Sequence, residues 1–317
     1  MDRTMRTGLA LALISAATFG TSGALGKPPM ESGWSPVAAV TARVLIGSIL
    51  LAIPAAFAMR GHWCSLRRGW SSIVLFGMFA VALAQVAFYQ AVQYIPVGVA
   101  LLLEYLGIIV VVGYLWLRHG QRPRPLTILG SGLALMGLVL ILDVFGAMAI
   151  DVRGVLWGLL AAVGLASYFV ISGDDRSGVP PVAVATGGLM VGALGLILAS
   201  GLGLASFEWS TNDVPLAATE VPVWVPLAGI GVFAAALAYA FGVAGARRLG
   251  SKLASFVGLT EVMFSVLFAW ALLGELPSVM QLLGGAFIVA GVVAVKADER
   301  PEVMVKPTAE APVLTAA

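Results

Sequence analysis

The stretch Tyr94–Trp116, YIPVGVALLLEYLGIIVVVGYLW, reads as one apolar helix long enough to cross a bilayer, with a single carboxylate, Glu104, near its middle. A charge at that depth costs about 2.5–3.5 kcal/mol on insertion scales, so a chain retains it only where something uses it. A second apolar stretch, Leu249–Leu273, carries Glu261 in the same predicament. Two such helices point to a solute pathway through a multi-span protein.

Composition agrees. The 317 residues are 60% hydrophobic and only 11% charged, with a mean hydropathy of +1.00. A soluble core of this size does not need so much apolar surface, whereas repeated runs of about 20 apolar residues are what spanning requires. The net charge of +2 is too balanced to suggest a nucleic-acid partner. Cys64 is the only cysteine, which excludes an intramolecular disulfide and a cysteine-built metal site. His62 and His119 fall in short basic loops and read as solvated side chains, so neither a metal nor a cofactor is expected. The first apolar run, Gly8–Leu25 after Arg3 and Arg6, is long for a signal peptide and lacks a clear cleavage site. It reads as the first span.

Ten helices are expected, at about 8–26, 36–59, 71–93, 96–116, 125–144, 154–173, 181–204, 223–245, 250–273 and 277–296. The polar, proline-interrupted residues 297–317 read as a disordered tail. With a cytoplasmic N-terminus, fifteen Lys and Arg residues fall on the inside and only Lys27 and Arg153 on the outside, with Arg43 left within a span. That asymmetry predicts cytoplasmic termini in a cell (plasma or inner) membrane. All eight tryptophans fall in loops or near helix ends, where an aromatic belt belongs.

Sliding the chain by 154 residues lays PRPLTILGSGLALMGLV (123–139) on PSVMQLLGGAFIVAGVV (277–293). Gly130 then meets Gly284, Gly137 meets Gly291, Trp116 meets Trp270 and Gln85 meets Tyr239. Five helices correspond to five, and because five is odd the second copy enters the membrane upside down. The expected fold is therefore an all-α integral membrane protein of ten transmembrane helices. Its two inverted five-helix repeats occupy 8–144 and 154–296, with the binding site near the midplane between them.

The same shift places Glu104 on Gly258 and Glu261 on Gly107, so each glutamate lies one turn from the counterpart of the other. Arg43 lies in the second helix, about 10 Å from the outer surface. It has two readings. In one, Arg43 and one glutamate form a structural ion pair between helices. In the other, at least one carboxylate is not permanently neutralised and can carry a proton or hold the ammonium of a solute. Glu261 is the better candidate for that role, because one arginine can fully neutralise only one carboxylate. Gln85, Tyr89 and Gln93 share a face of the third helix, and Tyr239 takes the position matching Gln85. Ser15, Thr18 and Ser22 form a similar stripe on the first helix. Gly154-x-x-x-Gly158 and Gly188-x-x-x-Gly192 read as close-packing faces, and the Gly130/Gly137 and Gly284/Gly291 helices as a scaffold or the face of a homodimer. No phosphate loop, HExxH, GxSxG or paired intramembrane aspartates occur, so neither ATP hydrolysis nor an enzyme is expected.

QYIPVGVALLLEYLG (93–107) and RRLGSKLASFVGLTEVMFSVLFAWALLGELPSVMQLLGGAFIVAGVV (247–293) resemble the two EamA-type repeats of the drug/metabolite transporter superfamily. The first is similar to the branch containing threonine and homoserine exporters. The resemblance covers about 8–296, and Arg43 fits the family's pattern. It implies transport, often export, coupled to an ion gradient. Where the family usually carries a proline after each mid-helix glutamate, Ile108 and Val262 stand here. The expected function is secondary transport of a small-molecule substrate such as an amino acid. A multidrug or other metabolite permease of the same fold, or a non-transporting scaffold or sensor, is the alternative. The solitary thiol tests the orientation. A membrane-impermeant thiol reagent is expected to label Cys64 in inside-out vesicles and to spare it in intact cells; labelling from outside would reverse the topology.

Overall fold

Short local signals set where each helix starts and stops. Ser35 caps α2 (Pro36–Ala58), its side chain accepting from the Ala38 amide at 3.3 Å, and Pro36 supplies a first-turn φ without an unmet N–H. Pro125 opens α7 (Pro125–Ile141) in the same way, and Asp151 caps α8 (Val152–Gly173). Left-handed Gly120 and Gly274 close α6 (Gly107–His119) and α12 (Thr260–Leu273), a conformation that glycine adopts without strain. The remaining helices are α1 (Arg3–Glu31), α3 (Trp63–Leu75), α4 (Ala84–Val92), α5 (Val97–Tyr105), α9 (Pro181–Gly201), α10 (Trp224–Gly231), α11 (Ala238–Gly258) and α13 (Val279–Asp298). The computed structural model describes residues 3–95, 97–142, 151–216, 219–274 and 276–298. The end of the expected fifth helix (143–144) and residues 299–317 of the expected tail lie outside them.

Two rods change pitch without breaking. α3 runs into α4 through the π-helical turn Phe76–Leu83, and α10 into α11 through Val232–Leu237. Among the described residues, eight helices are long and apolar enough to cross a membrane, and α7 and α12 are shorter apolar helices. The chain is an all-helical, multi-pass membrane protein. Its last long rod, Trp224–Gly258, counts 35 residues, or about 50 Å if straight, against a hydrocarbon core of about 30 Å. Gly250 resolves the excess: at φ 76° and ψ 159° it is non-helical. The chain turns back there, which lets Gly242 and Gly258 line one cavity.

The two ends of the bundle are distinct. At one, Gly8 packs on Arg248 and Leu249, Gly69 on Ser177 and Val179, and Gly173 on Ser251. Arg247 pairs with Asp175 at 2.8 Å and donates to the Val179 carbonyl. Nearby, Arg176 grips Asp174 at 2.6 Å and holds that carboxyl below the usual carboxylate range. This is the arginine-rich end. At the other, the 202–223 connection carries a hairpin that the apolar pattern does not predict, β1 (Val214–Leu216) against β2 (Thr219–Val221). It holds because Val214 is fully buried in a small cluster with Val223, Leu227 and Ile230. Trp34 Nε1 donates to Ser210 O at 2.8 Å, and Ser210 Oγ to Ser32 O at 2.8 Å. The connection is thereby strapped onto the α1–α2 turn.

Small residues set the packing, because lipid offers helices no hydrophobic drive to associate. A Cβ on Gly154 or Gly158 would strike Ile95 or Leu103, and one on Gly188 or Gly192 would strike Phe76 or Val81. α7 and α13 approach backbone to backbone within the chain. A Cβ on Gly137 would lie 2.5 Å from Gly284 O, and one on Gly130 would lie 2.7 Å from Gly291 O. The two glycine faces meet each other, so they are not free as the face of a homodimer. Gly137→Ala is expected to destabilise the protein by about 1–3 kcal/mol through overpacking. Gly132→Ala, on the same helix with open space at its Cβ, is expected to be neutral or to stabilise by up to about 1 kcal/mol. Thermal unfolding of the two variants in one detergent checks the difference.

Candidate functional site

The chain interrupts itself beside each glutamate. At Leu106, between α5 and α6, the amide is shared between the carbonyls of Leu102 and Leu103 (3.2 and 3.1 Å), and Ile109 N donates to Leu106 O at 2.9 Å. At Leu259, between α11 and α12, Leu259 N donates to Phe256 O at 3.2 Å and Val262 N to Leu259 O at 3.1 Å. These three-residue bonds tighten the backbone locally. Glu104 precedes one break by two residues and Glu261 follows the other by two. Leu106 and Leu259 both keep right-handed helical angles (φ −58°, ψ −15° at Leu106 and φ −58°, ψ −23° at Leu259), so each break is a tightened turn, and neither involves a proline.

A cavity of about 220 Å³ lies between α1, α2, α4, α5, α8, α11 and α12. Its polar wall carries Arg43, Glu104, Glu261, Gln85, Tyr89 and Ser22. Its aromatic wall carries Phe19, Phe88, Tyr105, Tyr168, Phe169 and Tyr239. Toward the arginine-rich end the rings close on one another. Phe19 and Tyr239 stand 5.0 Å apart between centroids, Tyr168 and Phe169 4.9 Å, and Tyr168 and Tyr239 5.7 Å, all edge to face. Glycine admits them: a Cβ on Gly258 would lie 2.7 Å from the Phe169 ring, and one on Gly242 would overlap the Tyr168 hydroxyl.

Arg43 is buried, at 7% exposure, whereas both glutamates are half-buried. Its Nη1 donates to Ser22 Oγ at 2.8 Å, and its Nε has no hydrogen-bond partner. Among the described residues, ion pairs occur at Arg176–Asp174 and Arg247–Asp175, and Arg43 is within pairing distance of neither glutamate. The structural ion pair considered above is therefore absent from this conformation. One guanidinium and two carboxylates face a shared space without neutralising one another in contact. Such a site can take an anionic group at Arg43 and an ammonium group or a proton at the carboxylates.

The structure thus brings Arg43, Gln85, Tyr89, Glu104, Tyr239 and Glu261 to one cavity. Gln93 does not reach it. It caps α4 in an exposed turn, one helical turn beyond Tyr89, where the helix has left the cavity. Of the first-helix stripe, Ser15 and Ser22 line the cavity, while Thr18 spends its hydroxyl proton on its own helix. Tyr105 lines it too. Tyr168 and Phe169 escaped the sequence reading, their only signal being a polar-tipped ring inside an otherwise apolar span. No cluster of three potential metal ligands occurs among the described residues.

The Gly242 contact generates a test. Gly242→Ala is expected to lower the melting temperature, and adding Tyr168→Phe, which deletes the overlapping oxygen, is expected to restore much of the loss. Additive effects of the two substitutions in a double-mutant cycle would contradict the contact.

Residues 6–143 and 152–296 each match the model of the EamA-like transporter family. An uncharacterized transporter of Archaeoglobus fulgidus is 26% identical over 291 residues, spanning 92% of this chain and 96% of that protein. A protein of known crystal structure, 20% identical, superposes with a TM-score of 0.73 over 92% of this chain and 97% of its own, a likeness of fold. The chain, a multi-pass membrane transporter, belongs to the EamA-like transporter family.

Proposed function

We propose that the protein is a secondary active transporter that exports small zwitterionic metabolites such as amino acids, by alternating access around the Arg43–Glu104–Glu261 cavity. The observation that carries this reading is the cavity itself: one cation and two carboxylates in the membrane-spanning bundle, close together and not paired off. A rigid scaffold would gain nothing from that arrangement, and a solute with both charges complements it.

In this reading ten spans form two inverted repeats, with both termini cytoplasmic and the arginine-rich end inside. Several features support the repeat. The π-helical turns at Phe76–Leu83 and Val232–Leu237 overlap under the 154-residue shift, and the breaks at Leu106 and Leu259 fall within one residue of it. Contacts recur with the repeats exchanged. Gly77 packs on Val191 of α9 while its counterpart Gly231 packs on Ile46 of α2. Gly20 of α1 packs on Phe264 of α12, while Gly107 of α6 packs on Ala162 of α8. Gly130 meets Gly291 as Gly137 meets Gly284. A pseudo-two-fold axis in the membrane plane produces such crossed pairs, and it gives the halves two equivalent ways to rock.

Glu261 is the proposed proton carrier and Arg43 the anchor for the solute's anionic group. Glu261→Gln keeps the shape and hydrogen bonding of the side chain but locks it neutral. That variant is expected to lose uphill transport driven by a pH gradient while retaining downhill exchange of solute. Arg43→Ala is expected to lose both modes, because the anion's partner is gone. Both modes measured in proteoliposomes, from mildly acidic to mildly alkaline pH, decide the matter. Unchanged uphill transport and pH dependence in both Glu261→Gln and Glu104→Gln would remove proton coupling from these carboxylates.

A further inference from the structure

Two buried polar atoms without a hydrogen-bond partner belong to residues lining this cavity: Arg43 Nε and the Tyr168 hydroxyl oxygen. The guanidinium has its role in the reading above. The phenol does not. Tyr168 is 7% exposed, and its ring is fixed by Phe19, Phe76, Phe169 and Tyr239. Packing alone would be served as well by phenylalanine, and a buried hydroxyl left unmet is costly.

The surroundings define what would meet it. Ser15 Oγ lies beside the phenol, the two oxygens flanking the same face of Gly242. Ser15 has already donated its only proton to the Ala238 carbonyl at 2.7 Å, so it faces the phenol only as an acceptor, and their contact falls short of hydrogen-bond geometry. The spot therefore offers one free donor, the phenol O–H, and acceptor lone pairs on both oxygens. The missing side chain of Gly242 leaves room for them, since a Cβ there would lie 2.7 Å from Ser15 Oγ and overlap the phenol oxygen. Around this polar spot the wall is aromatic. A carboxylate would meet one donor and no counter-charge, and an ammonium, which cannot accept, would leave the phenol O–H unmet. A neutral group that both accepts and donates fits the inventory.

We infer that Tyr168, with Ser15, is a specificity-determining subsite that takes a hydroxyl or primary carboxamide group on the solute, at the aromatic side of the cavity. The inference rests on the reading of the cavity as a site for zwitterionic solutes. It adds that solutes with such a side chain are preferred over apolar ones of the same shape.

Isosteric pairs isolate the group: threonine against valine, and asparagine against leucine. Wild-type protein in proteoliposomes is expected to favour the hydrogen-bonding member of at least one pair by about tenfold or more in kcat/KM. Tyr168→Phe is expected to reduce that ratio to within about threefold, through a raised KM for the hydrogen-bonding member, while flux of the apolar member changes less than about twofold. Its melting temperature is expected to stay equal or rise, because an unmet polar atom has been removed. A ratio that survives Tyr168→Phe, as a water in that place would leave it, overturns the inference. So does equal loss of both members together with a lowered melting temperature, which would make the hydroxyl structural. Flux without discrimination in the wild type overturns the inference and leaves the transport reading intact. Absence of flux for all four probes overturns both.

Discussion

Three ionisable side chains in the middle of an apolar bundle are the constraint from which the rest of the structure follows. Each would cost about 2.5–3.5 kcal/mol if simply left in hydrocarbon. Mutual neutralisation would lower that cost, but Arg43 donates to Ser22 and pairs with neither glutamate. What accommodates them is a polar cavity with room for a guest, built where seven helices fail to close on one another. Holding that space open requires rigid packing elsewhere. Glycine contacts provide it, because close backbone approach and dispersion are what bind helices in lipid.

The walls of the cavity divide the work chemically. Arg43, Glu104 and Glu261 supply charge, and the rings of Phe19, Tyr168, Phe169 and Tyr239 close the arginine-rich side. The tightened turns at Leu106 and Leu259 sit two residues from the glutamates, so the helical hydrogen bonding changes beside the cavity's carboxylates. Farther out, the two ends are tied by different means. Arg247 straps the α8–α9 turn with an ion pair, whereas the hairpin end is held by neutral hydrogen bonds to the α1–α2 turn.

The spans were legible because a bilayer demands long apolar runs, and only the chain's own composition can supply them. Glu104, Glu261 and Arg43 stood out for the same reason: a charge inside such a run has no other place to hide. Finer features were not legible, and each omission has a physical cause. A π-helical turn has no composition of its own, so Phe76–Leu83 and Val232–Leu237 read as ordinary helix. The breaks beside the glutamates lack the proline that would announce them. Gln93 fits the helical face of Gln85 and Tyr89, yet periodicity cannot say where a helix leaves a cavity. The β1–β2 hairpin depends on burial of Val214 by distant helices, a tertiary effect. Tyr168 is one ring among many until its hydroxyl is found without a partner.

Alternating access to the cavity is the central claim, and a single cysteine inside it tests that claim most directly. With Cys64 replaced by serine, Leu101→Cys places a thiol on the cavity wall beside Glu104. Its reaction rate with an impermeant thiol reagent can be followed from each face of oriented vesicles, under a pH gradient imposed in one direction and then the other. The account predicts labelling from both faces, with a gain at one face matched by a loss at the other when the gradient is reversed. Labelling from one face only under both gradients, or from neither, would contradict it.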